Sequence, residues 1–444
     1  MTVLAIDQGT SSTKAVLVAD DGIVLARASA RVRCAYPHPG WVEQDADEIW
    51  DSVQAVMAAM PLGTPIDAIA LSTQRESAVV WNDDYVSPVI GWQDARTAAD
   101  CDQLREHEPF VRARTGLALD PMFSATKLHR LLDGRDDLRA GTIDAFLIHR
   151  LTGEFAIEAG NASRTLLMNL KTLDWDPELC ELFGVPQHTL PEIRRSDGGF
   201  GSCRGTPLAA VLADSHAALY AHGAAKATYG TGSSVMVPSD HRVDGLAHTL
   251  AWLTDEPVYA VEGNILASAA ALDWMARTLQ VSKLEPLALQ ADTTDGVHLV
   301  PAFGGLGAPY WDRDATGLIT GVTLGTRPEH LARAAFESVA HQICDILDRV
   351  ELDELHADGG ATASDLLMQL QADLSGRPVL VSTPPEMSAL GAADLAAGVR
   401  RARPARTFEP AITEDERHAR RDAWHGAVRR SRLSAAPVLE GSLQ

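Results

Sequence analysis

Residues 3–18 read VLAIDQGTSSTKAVLV, in which two apolar runs flank a polar loop. The runs at residues 3–6 and 14–18 have the composition of strands, and a third run covers residues 23–26 after a polar turn. The loop between the first two runs, residues 7–13, holds one glycine and four hydroxyl side chains. The pattern predicts an antiparallel meander of three strands and is not that of a βαβ unit.

Beyond this meander, strand-like runs such as residues 68–72 alternate with amphipathic stretches such as residues 47–60, which predicts an α/β protein. A second polar hairpin loop, TYGTGSS at residues 228–234, follows alanine-rich sequence and resembles the first loop in chemistry. We therefore expect a duplicated fold with an N-terminal domain of residues 1–223, a C-terminal domain of residues 224–444 and a cleft between them.

The chain of 444 residues carries 60 acidic and 38 basic side chains, for a net charge of −22. Phosphate backbones and anionic lipid surfaces repel so acidic a protein, so we expect neither nucleic-acid binding nor membrane association. Arginines gather only between residues 400 and 432, interleaved with acids, as is typical of a solvated or docking helix.

No stretch of about 18 uncharged residues occurs, and the first residues lack the basic start and long apolar run of a signal peptide. The five cysteines are odd in number and scattered, without a Cys-x-x-Cys pair. These features predict reduced thiols in a cytoplasmic protein without membrane insertion.

The first loop offers backbone N–H groups, hydroxyls and Lys14, which together can bind phosphate oxygens. Asp7, where the first strand ends, can hold a divalent cation through water. A plain turn with a capping aspartate explains the same residues. A third small-residue loop, DGGA at residues 358–361, favours the nucleotide reading, because three such loops can converge on one nucleotide although no Walker A motif is present.

Two polar clusters are candidates for binding a polyhydroxyl ligand. Arg75 and Glu76 follow the apolar run at residues 68–71, where they can hydrogen-bond hydroxyls or form a surface ion pair. Trp92 offers an aromatic face that can pack against a carbon chain or belong to the core.

Asp214 follows the apolar run at residues 208–212 and opens an alanine-rich helix. An aspartate in this position is an N-cap or, alternatively, a general base that accepts a hydroxyl proton during phosphoryl transfer. No His-Glu-x-x-His pattern occurs, which argues against a zinc site.

The motifs in this order resemble the FGGY family of carbohydrate kinases, and within it the pattern of its glycerol kinases. The matching segments are DQGT (7–10), PGWVEQD (39–45), TQRE (73–76), WQDART (92–97), FSATKL (123–128), GTID (141–144), NASRT (161–165), TLDW (172–175), YGTG (229–232), GLGAPYWD (305–312) and ALGAA (389–393). The resemblance runs from residue 3 to about residue 400.

The resemblance implies two actin-like (ribonuclease H-like) α/β domains with ATP and Mg²⁺ bound in the cleft between them. It implies transfer of the γ-phosphoryl group to a terminal hydroxyl of a small uncharged polyol or sugar. Matching by position makes Asp214 the catalytic base and places Asp7 near the magnesium ion. The acceptor would contact Arg75, Glu76, Trp92, Asp214 and Ser215. The nucleotide would lie among Thr10, Ser11, Lys14, Thr231, Gly232, Ala269, Asp273, Gly360 and Ser364.

Three substitutions depart from the glycerol kinase pattern, namely Met122 for a tyrosine, Ser215 for a glutamine and Ser234 for an aromatic residue. They predict a roomier acceptor pocket with fewer fixed donors. Arg75, Glu76 and Trp92 favour glycerol as the first candidate acceptor. The three substitutions favour the second candidate, a four- or five-carbon sugar or polyol such as erythritol, xylulose or ribulose. A non-catalytic actin-like sensor is a remote third reading. The chain is also shorter than is usual for the family, which leaves a homo-oligomer and any regulation open.

Overall fold

The computed structural model describes residues 1–61 and 63–433. Its strands are β1 (Val3–Gln8), β2 (Ser12–Val18), β3 (Val24–Arg31), β4 (Glu43–Gln44), β5 (Ala68–Thr73), β6 (Ala78–Trp81), β7 (Val89–Ile90), β8 (Arg139–Thr142), β9 (Ala156–Glu158), β10 (Met168–Asn169), β11 (Asp174–Trp175), β12 (Glu192–Arg194), β13 (Ser202–Cys203), β14 (Thr206–Ala213), β15 (Lys226–Tyr229), β16 (Ser233–Pro238), β17 (Ala247–Leu253), β18 (Pro257–Ile265), β19 (His298–Val300), β20 (Leu318–Thr320), β21 (Leu355–Asp358), β22 (Val379–Ser382) and β23 (Ala405–Phe408).

The helices are α1 (Ala46–Ala58), α2 (Ala98–Gln103), α3 (Glu108–Thr115), α4 (Ser124–Leu132), α5 (Ile143–Thr152), α6 (Ala159–Ala162), α7 (Pro177–Phe183), α8 (Asp214–His222), α9 (Ala269–Thr278), α10 (Glu285–Ala288), α11 (Pro328–Leu347), α12 (Asp365–Ser375), α13 (Met387–Ala396) and α14 (Glu414–Leu433). In the ranges that are described, no helix is both long enough and apolar enough to cross a membrane.

The N-terminal half is built on a six-stranded sheet in the order β13-β14-β5-β1-β2-β3. Strands β1, β2 and β3 form the predicted antiparallel meander, whereas β1, β5 and β14 are mutually parallel neighbours. Gln8 pairs with Thr73, and Thr73 pairs with Ala213. Because parallel strands end at the same edge of a sheet, the loops after β1, β5 and β14 begin side by side.

The C-terminal half repeats this arrangement in a seven-stranded sheet with the order β17-β18-β16-β15-β21-β22-β23. Strand β15 pairs antiparallel with β16, which pairs antiparallel with β18, while β15, β21 and β22 run parallel. The strand relations of the first sheet therefore recur in the second, and the predicted α/β fold with two similar halves is confirmed. The exact domain limit near residue 223, which lies between the sheets, stays a prediction.

Helices α8 and α13 fill the space between the halves. Buried apolar side chains of both helices form one cluster with residues of β1 and β5. The helices approach so closely that a Cβ atom on Gly391 of α13 would lie 1.8 Å from the carbonyl oxygen of Ala217 in α8. This packing fixes α8, the helix that begins at Asp214.

The arginine-rich segment forms α14, which docks on α11. Arg421 donates to Asp345 at 2.5 Å and to Asp348 at 2.8 Å, and the buried Trp424 indole N–H donates to Asp345 at 2.9 Å. The arginine-rich helix therefore docks on α11 through its buried face, in agreement with the prediction of a solvated or docking helix.

Candidate active site

The parallel strands of the N-terminal sheet bring Asp7, Arg75 and Asp214 to one edge. Asp7 lies in β1, Arg75 two residues after β5, and Asp214 directly after β14 as the first residue of α8. The Ser72 hydroxyl donates to Asp7 Oδ1 at 3.0 Å. Asp214 lies one position inside the helix and makes no N-cap hydrogen bond, which leaves its carboxylate facing this edge beside Arg75 Nε at 3.6 Å.

A buried ladder of alternating charges extends from Asp214. The two terminal nitrogens of the Arg75 guanidinium group, Nη2 and Nη1, donate to the Glu262 carboxylate at 2.7 and 3.0 Å. Arg164 donates Nε to Glu76 at 2.7 Å, and its Nη2 lies 3.0 Å from Glu262. Charged groups are buried at low cost only when they are paired in this way, and the bidentate geometry fixes the Arg75 plane. Because Glu262 belongs to β18, the ladder also ties the two sheets together.

The charges in the ladder perturb one another's ionisation. Burial alone would raise the pKa of Glu262, but Arg75 and Arg164 hold it well below its ordinary value. Burial raises the pKa of Asp214, opposed by Arg75. Burial and the neighbouring Asp214 carboxylate raise the pKa of Asp7 to about 6. Two carboxylates that disfavour each other's charge form a donor set that fits a hydrated divalent cation, which would relieve this repulsion.

Hydrogen bonds to neighbouring hydroxyl groups position Glu76 and Trp92. Glu76 has a φ of 61°, the left-handed region, which the Ser124 hydroxyl supports by donating to the Glu76 carbonyl oxygen at 3.1 Å. The Trp92 indole N–H donates to the Thr10 hydroxyl at 3.0 Å, so this predicted acceptor residue contacts a predicted nucleotide residue directly.

Lys127, on α4, is a fully buried lysine that bonds to the segments carrying Glu76 and Trp92. Its ammonium group donates to the carbonyl oxygens of Met122 at 2.7 Å, Gly91 at 2.9 Å and Glu76 at 3.4 Å. Gly91 precedes Trp92, so the three bonded segments carry Glu76, Trp92 and Met122, which we call the acceptor wall because the resemblance implies acceptor contacts there. Burial lowers the pKa of Lys127 to about 7.

The loops of the C-terminal sheet form the opposite side of the cleft and depend on glycine. Gly359 follows β21 with φ 96° and ψ 166°, a conformation almost confined to glycine. A Cβ atom there would lie 2.5 Å from the Tyr229 carbonyl oxygen, and one on Gly232 would lie 2.5 Å from that of Ile265. These loops therefore present backbone at close range rather than side chains.

The loop at residues 230–232 also caps helix α9. The Ala269 N–H donates to the Gly230 carbonyl at 3.0 Å, and the Ala270 N–H donates to that of Thr231 at 3.1 Å. The structure thus brings the predicted residues Thr231, Gly232 and Ala269 together, although the Ala269 N–H is already used.

The remaining predicted nucleotide residues differ in what they can offer. Gly360 is exposed after β21, and Asp273 is exposed on α9. The Ser364 hydroxyl donates to Glu285 at 2.7 Å and accepts the Leu367 N–H at 3.1 Å as the N-cap of α12. Ser364 therefore supports its loop, and its hydroxyl is committed elsewhere.

On the N-terminal side, Ser11 and Lys14 are exposed at the first loop. Lys14 pairs in register with Asp7 across β1 and β2. Asp7 and Lys14 are therefore neighbours on adjacent strands beside the loop of residues 9–11, whose backbone N–H groups and hydroxyls are of the kind that binds phosphate oxygens.

A second interdomain contact lies at the far end of α8. His222, the last residue of the helix that Asp214 begins, lies 3.0 Å from Asp358 at the end of β21. The buried Lys226 donates to the Thr228 hydroxyl at 2.7 Å beside them. Burial alone would raise the pKa of Asp358, but Lys226 and His222 hold it at about 2. One helix thus contacts the acceptor side at its start and a nucleotide-side strand at its end.

Sequence reasoning missed Glu262, Arg164 and Lys127 as parts of the site. Each is a charged residue inside a buried stretch, such as Glu262 in the strand PVYAVEGNI. A charged residue in an otherwise buried strand needs a partner, so its presence in an apolar run could have indicated a buried ion pair.

The three residues that depart from the resemblance lie in three different segments of the chain. Ser215 donates its backbone N–H to Asp214 at 2.6 Å, and Ser234 lies in β16. Met122 lines a cavity of about 100 Å³ between the two halves.

Known proteins match this chain over nearly its whole length. The FGGY family of carbohydrate kinases matches through its N-terminal domain at residues 2–213 and its C-terminal domain at residues 225–398. The glycerol kinase of Alkalilimnicola ehrlichii is 42% identical over 97% of this chain and 98% of its own. That alignment is 484 positions long, so the relative carries residues where this 444-residue chain has none.

Solved structures show the same architecture. The ADP-bound glycerol kinase of Plasmodium falciparum superposes with a TM-score of 0.89 at 26% identity, covering 97% of this chain and 98% of that one. The xylulose kinase of Lactobacillus acidophilus has the same TM-score at 22% identity and 98% coverage of both chains, which speaks for the fold alone. Two matched domains and a full-length relative at this identity place the chain in the FGGY family of carbohydrate kinases.

Proposed function

We propose that this protein is an ATP- and Mg²⁺-dependent kinase that phosphorylates a terminal hydroxyl of glycerol. The observation that carries the proposal is the Asp214 carboxylate beside Arg75 and Glu76 at the cleft, in a chain 42% identical to a glycerol kinase. An uncharged acceptor suits this site, because the buried charges are already paired with one another.

In the proposed reaction, Asp214 accepts the proton of the attacking terminal hydroxyl. The hydroxyl oxygen forms a bond to the γ-phosphorus, and the bond from that phosphorus to the β,γ-bridging oxygen breaks, so ADP leaves with the electron pair. Asp214 must be unprotonated to act, and Arg75 favours that state. General-base catalysis of this kind contributes typically ~10²–10⁴-fold to the rate.

Arg75 and Glu76 position the acceptor. Arg75 is held by Glu262 and Glu76 by Arg164, so neither side chain has to be ordered when glycerol binds. Trp92, fixed to Thr10, offers its ring to the carbon chain.

Asp7 and Asp214 are the residues that would hold the magnesium ion, together with its waters. The cation would supply positive charge to the phosphate oxygens. Lys14, the backbone of residues 9–11 and the loops at Gly232 and Gly359 would align the phosphate chain between the two sheets.

A four- or five-carbon sugar or polyol is the second candidate acceptor. Met122 is the observation that favours it, because this residue removes a hydroxyl donor from the acceptor wall and borders the cavity of about 100 Å³. All five cysteines are free, as is usual in reducing compartments, so we also propose a cytoplasmic enzyme.

The test is coupled ADP release at fixed ATP and magnesium across glycerol, erythritol, pentitols and ketopentoses. We expect the highest kcat/KM with glycerol. A higher value for a five-carbon ketose would replace glycerol as the acceptor, and ADP release at one rate with and without every polyol would refute the kinase assignment.

A further inference from the structure

A loop of the C-terminal half, residues 309–313, reaches the N-terminal half beside the acceptor wall. Its Trp311 lines the cavity of about 100 Å³ between the halves, which Met122 of the acceptor wall also lines. Trp311 has a φ of 48°, the left-handed region that a bulky residue rarely adopts, and its indole N–H donates to the Gly245 carbonyl oxygen at 2.6 Å. Strain of this kind persists only where the surrounding structure holds it, so the fold fixes the Trp311 ring at the cavity.

Arg313, two residues further along, joins this loop to the N-terminal half. Its Nη2 donates to Asp120 Oδ2 at 2.9 Å, and the other oxygen of that carboxylate, Oδ1, accepts the Met122 backbone N–H at 2.9 Å. Asp120 itself lines the cavity. One carboxylate therefore connects the two walls of the cavity, the one that carries Met122 and the one that carries Trp311.

Helix α14 holds the turn from which Arg313 extends. Asp312 Oδ1 accepts the backbone N–H groups of Asp314 at 3.2 Å and Ala315 at 3.1 Å, and Asp312 Oδ2 accepts from Arg432 Nε at 2.7 Å. Arg432 lies in the last turn of α14, the helix that docks on α11. The side chain of Arg313 is 62% exposed, but it extends from a turn whose backbone is fixed on both sides.

We propose that Arg313 and Asp120 are positioning residues for the acceptor, because their ion pair holds the two halves together around an acceptor bound between Trp311 and Met122. The inference rests on the proposed function and deepens it. Neither residue takes part in proton or phosphoryl transfer, so the pair should affect the affinity for the acceptor more than the rate of transfer.

An exposed ion pair is weakened by salt, whereas the buried pairs of the ladder are screened far less. Glycerol and the other candidate acceptors carry no charge, so salt does not weaken an attraction between the protein and the acceptor itself. A KM for glycerol that depends on ionic strength at saturating ATP and magnesium is therefore a signature of this pair.

The experiment measures ADP release against glycerol concentration in about 0.05 M and about 0.5 M potassium chloride. For the unaltered protein we expect the KM for glycerol to rise about two- to fivefold with salt, the range that exposed ion pairs allow. Arg313→Gln and Asp120→Asn should raise the KM to the high-salt value already at low salt and remove its salt dependence. Asn at position 120 still offers an oxygen to the Met122 N–H, so this variant removes the ion pair and keeps the loop.

The double variant and a second ion pair serve as controls. Arg313→Gln combined with Asp120→Asn should raise the KM no more than either change alone, as expected when both remove one interaction. Arg195 also joins the halves, since its Nη2 donates to Asp255 at 2.9 Å, and neither residue lines the cavity. Arg195→Gln should therefore leave the KM for glycerol and its salt dependence unchanged.

Three results would overturn the inference and leave the proposed function standing. They are a salt dependence that persists in Arg313→Gln, an equal rise of the KM in Arg195→Gln, and a lower free energy of unfolding in urea without a change in the KM. Absence of turnover with every polyol in the unaltered protein would overturn the proposed function and this inference together.

Discussion

The two sides of the cleft differ in the groups that they present, which are charged side chains on one side and backbone on the other. The proposed acceptor side consists of buried side-chain charges, with Arg75, Glu76, Arg164 and Glu262 paired in one ladder. The proposed nucleotide side consists of backbone at glycine loops, where an added Cβ atom at Gly359 would meet Tyr229. Acceptor choice should therefore respond to changes of charge, whereas nucleotide affinity should respond to changes of backbone.

Removal of the base should have the largest effect. Asp214→Asn keeps the shape of the side chain but cannot accept the hydroxyl proton, so kcat should fall by ~10²–10⁴-fold. Steady-state ADP release measures kcat. The control is calorimetry of ADP binding without magnesium, which should change little because Asp214 would reach the nucleotide only through the ion. A variant that retains substantial turnover would refute the assignment of Asp214.

The charge ladder should show the next largest effect. Arg75→Met leaves Glu262 with one partner fewer, and breaking a buried pair costs about 3–5 kcal/mol. We expect a lower free energy of unfolding in urea and a much higher KM for glycerol, with a smaller change in the KM for ATP. If the KM for ATP rises as much as that for glycerol, the division between the two sides is wrong.

On the proposed nucleotide side, Gly359→Ala should affect the KM for ATP rather than the KM for glycerol. The forced backbone costs about 1–3 kcal/mol, and the Cβ atom would displace the Tyr229 carbonyl. The KM for ATP should therefore rise while the KM for glycerol changes little. Gly205→Ala is the matched control, since Gly205 has a φ of 88° but nothing within 4 Å of an added Cβ atom.

Lys127 links acceptor binding to pH. Burial lowers its pKa to about 7, so the ammonium group loses a proton as the pH rises through 7 and then has two N–H groups for three carbonyls. The KM for glycerol should rise with pH in this range and fall again on acidification. Lys127→Met should raise this KM on the order of tenfold and remove that pH dependence. An unchanged pH profile in Lys127→Met would show that the ammonium group does not hold the acceptor wall.

The smallest effect is expected at the contact between α8 and β21. His222→Gln can still donate an N–H to Asp358, whereas His222→Ala cannot. We expect His222→Ala to raise the KM for ATP by a few-fold, on the order of one lost hydrogen bond, and His222→Gln to restore it. Equal defects in the two variants would exclude the hydrogen bond as the cause.

The parts of the site that could be predicted are those that end a strand. Asp7, Arg75 and Asp214 each follow an apolar run, and parallel strands bring such positions to one edge. Glu262 and Arg164 could not be placed in this way, because they meet only when the two sheets are packed together. Lys127 bonds three separate segments, which no local pattern shows.

On the proposed nucleotide side, too, local sequence predicts the loops but does not predict contacts between distant segments. The loops at residues 228–234 and 358–361 could be predicted because small and polar residues follow strand-like runs there. The partner of the Ser364 hydroxyl, Glu285, lies far away in the chain, so the commitment of that hydroxyl appears only in three dimensions.

We expect this cleft to transfer a phosphoryl group from ATP to a carbon-bound hydroxyl rather than to water. Phosphorus NMR of the protein incubated with ATP, magnesium and glycerol tests it most directly. The expected product is one new phosphomonoester on a terminal carbon of glycerol, formed in step with ADP. Inorganic phosphate as the sole product, formed at the same rate without glycerol, would contradict it.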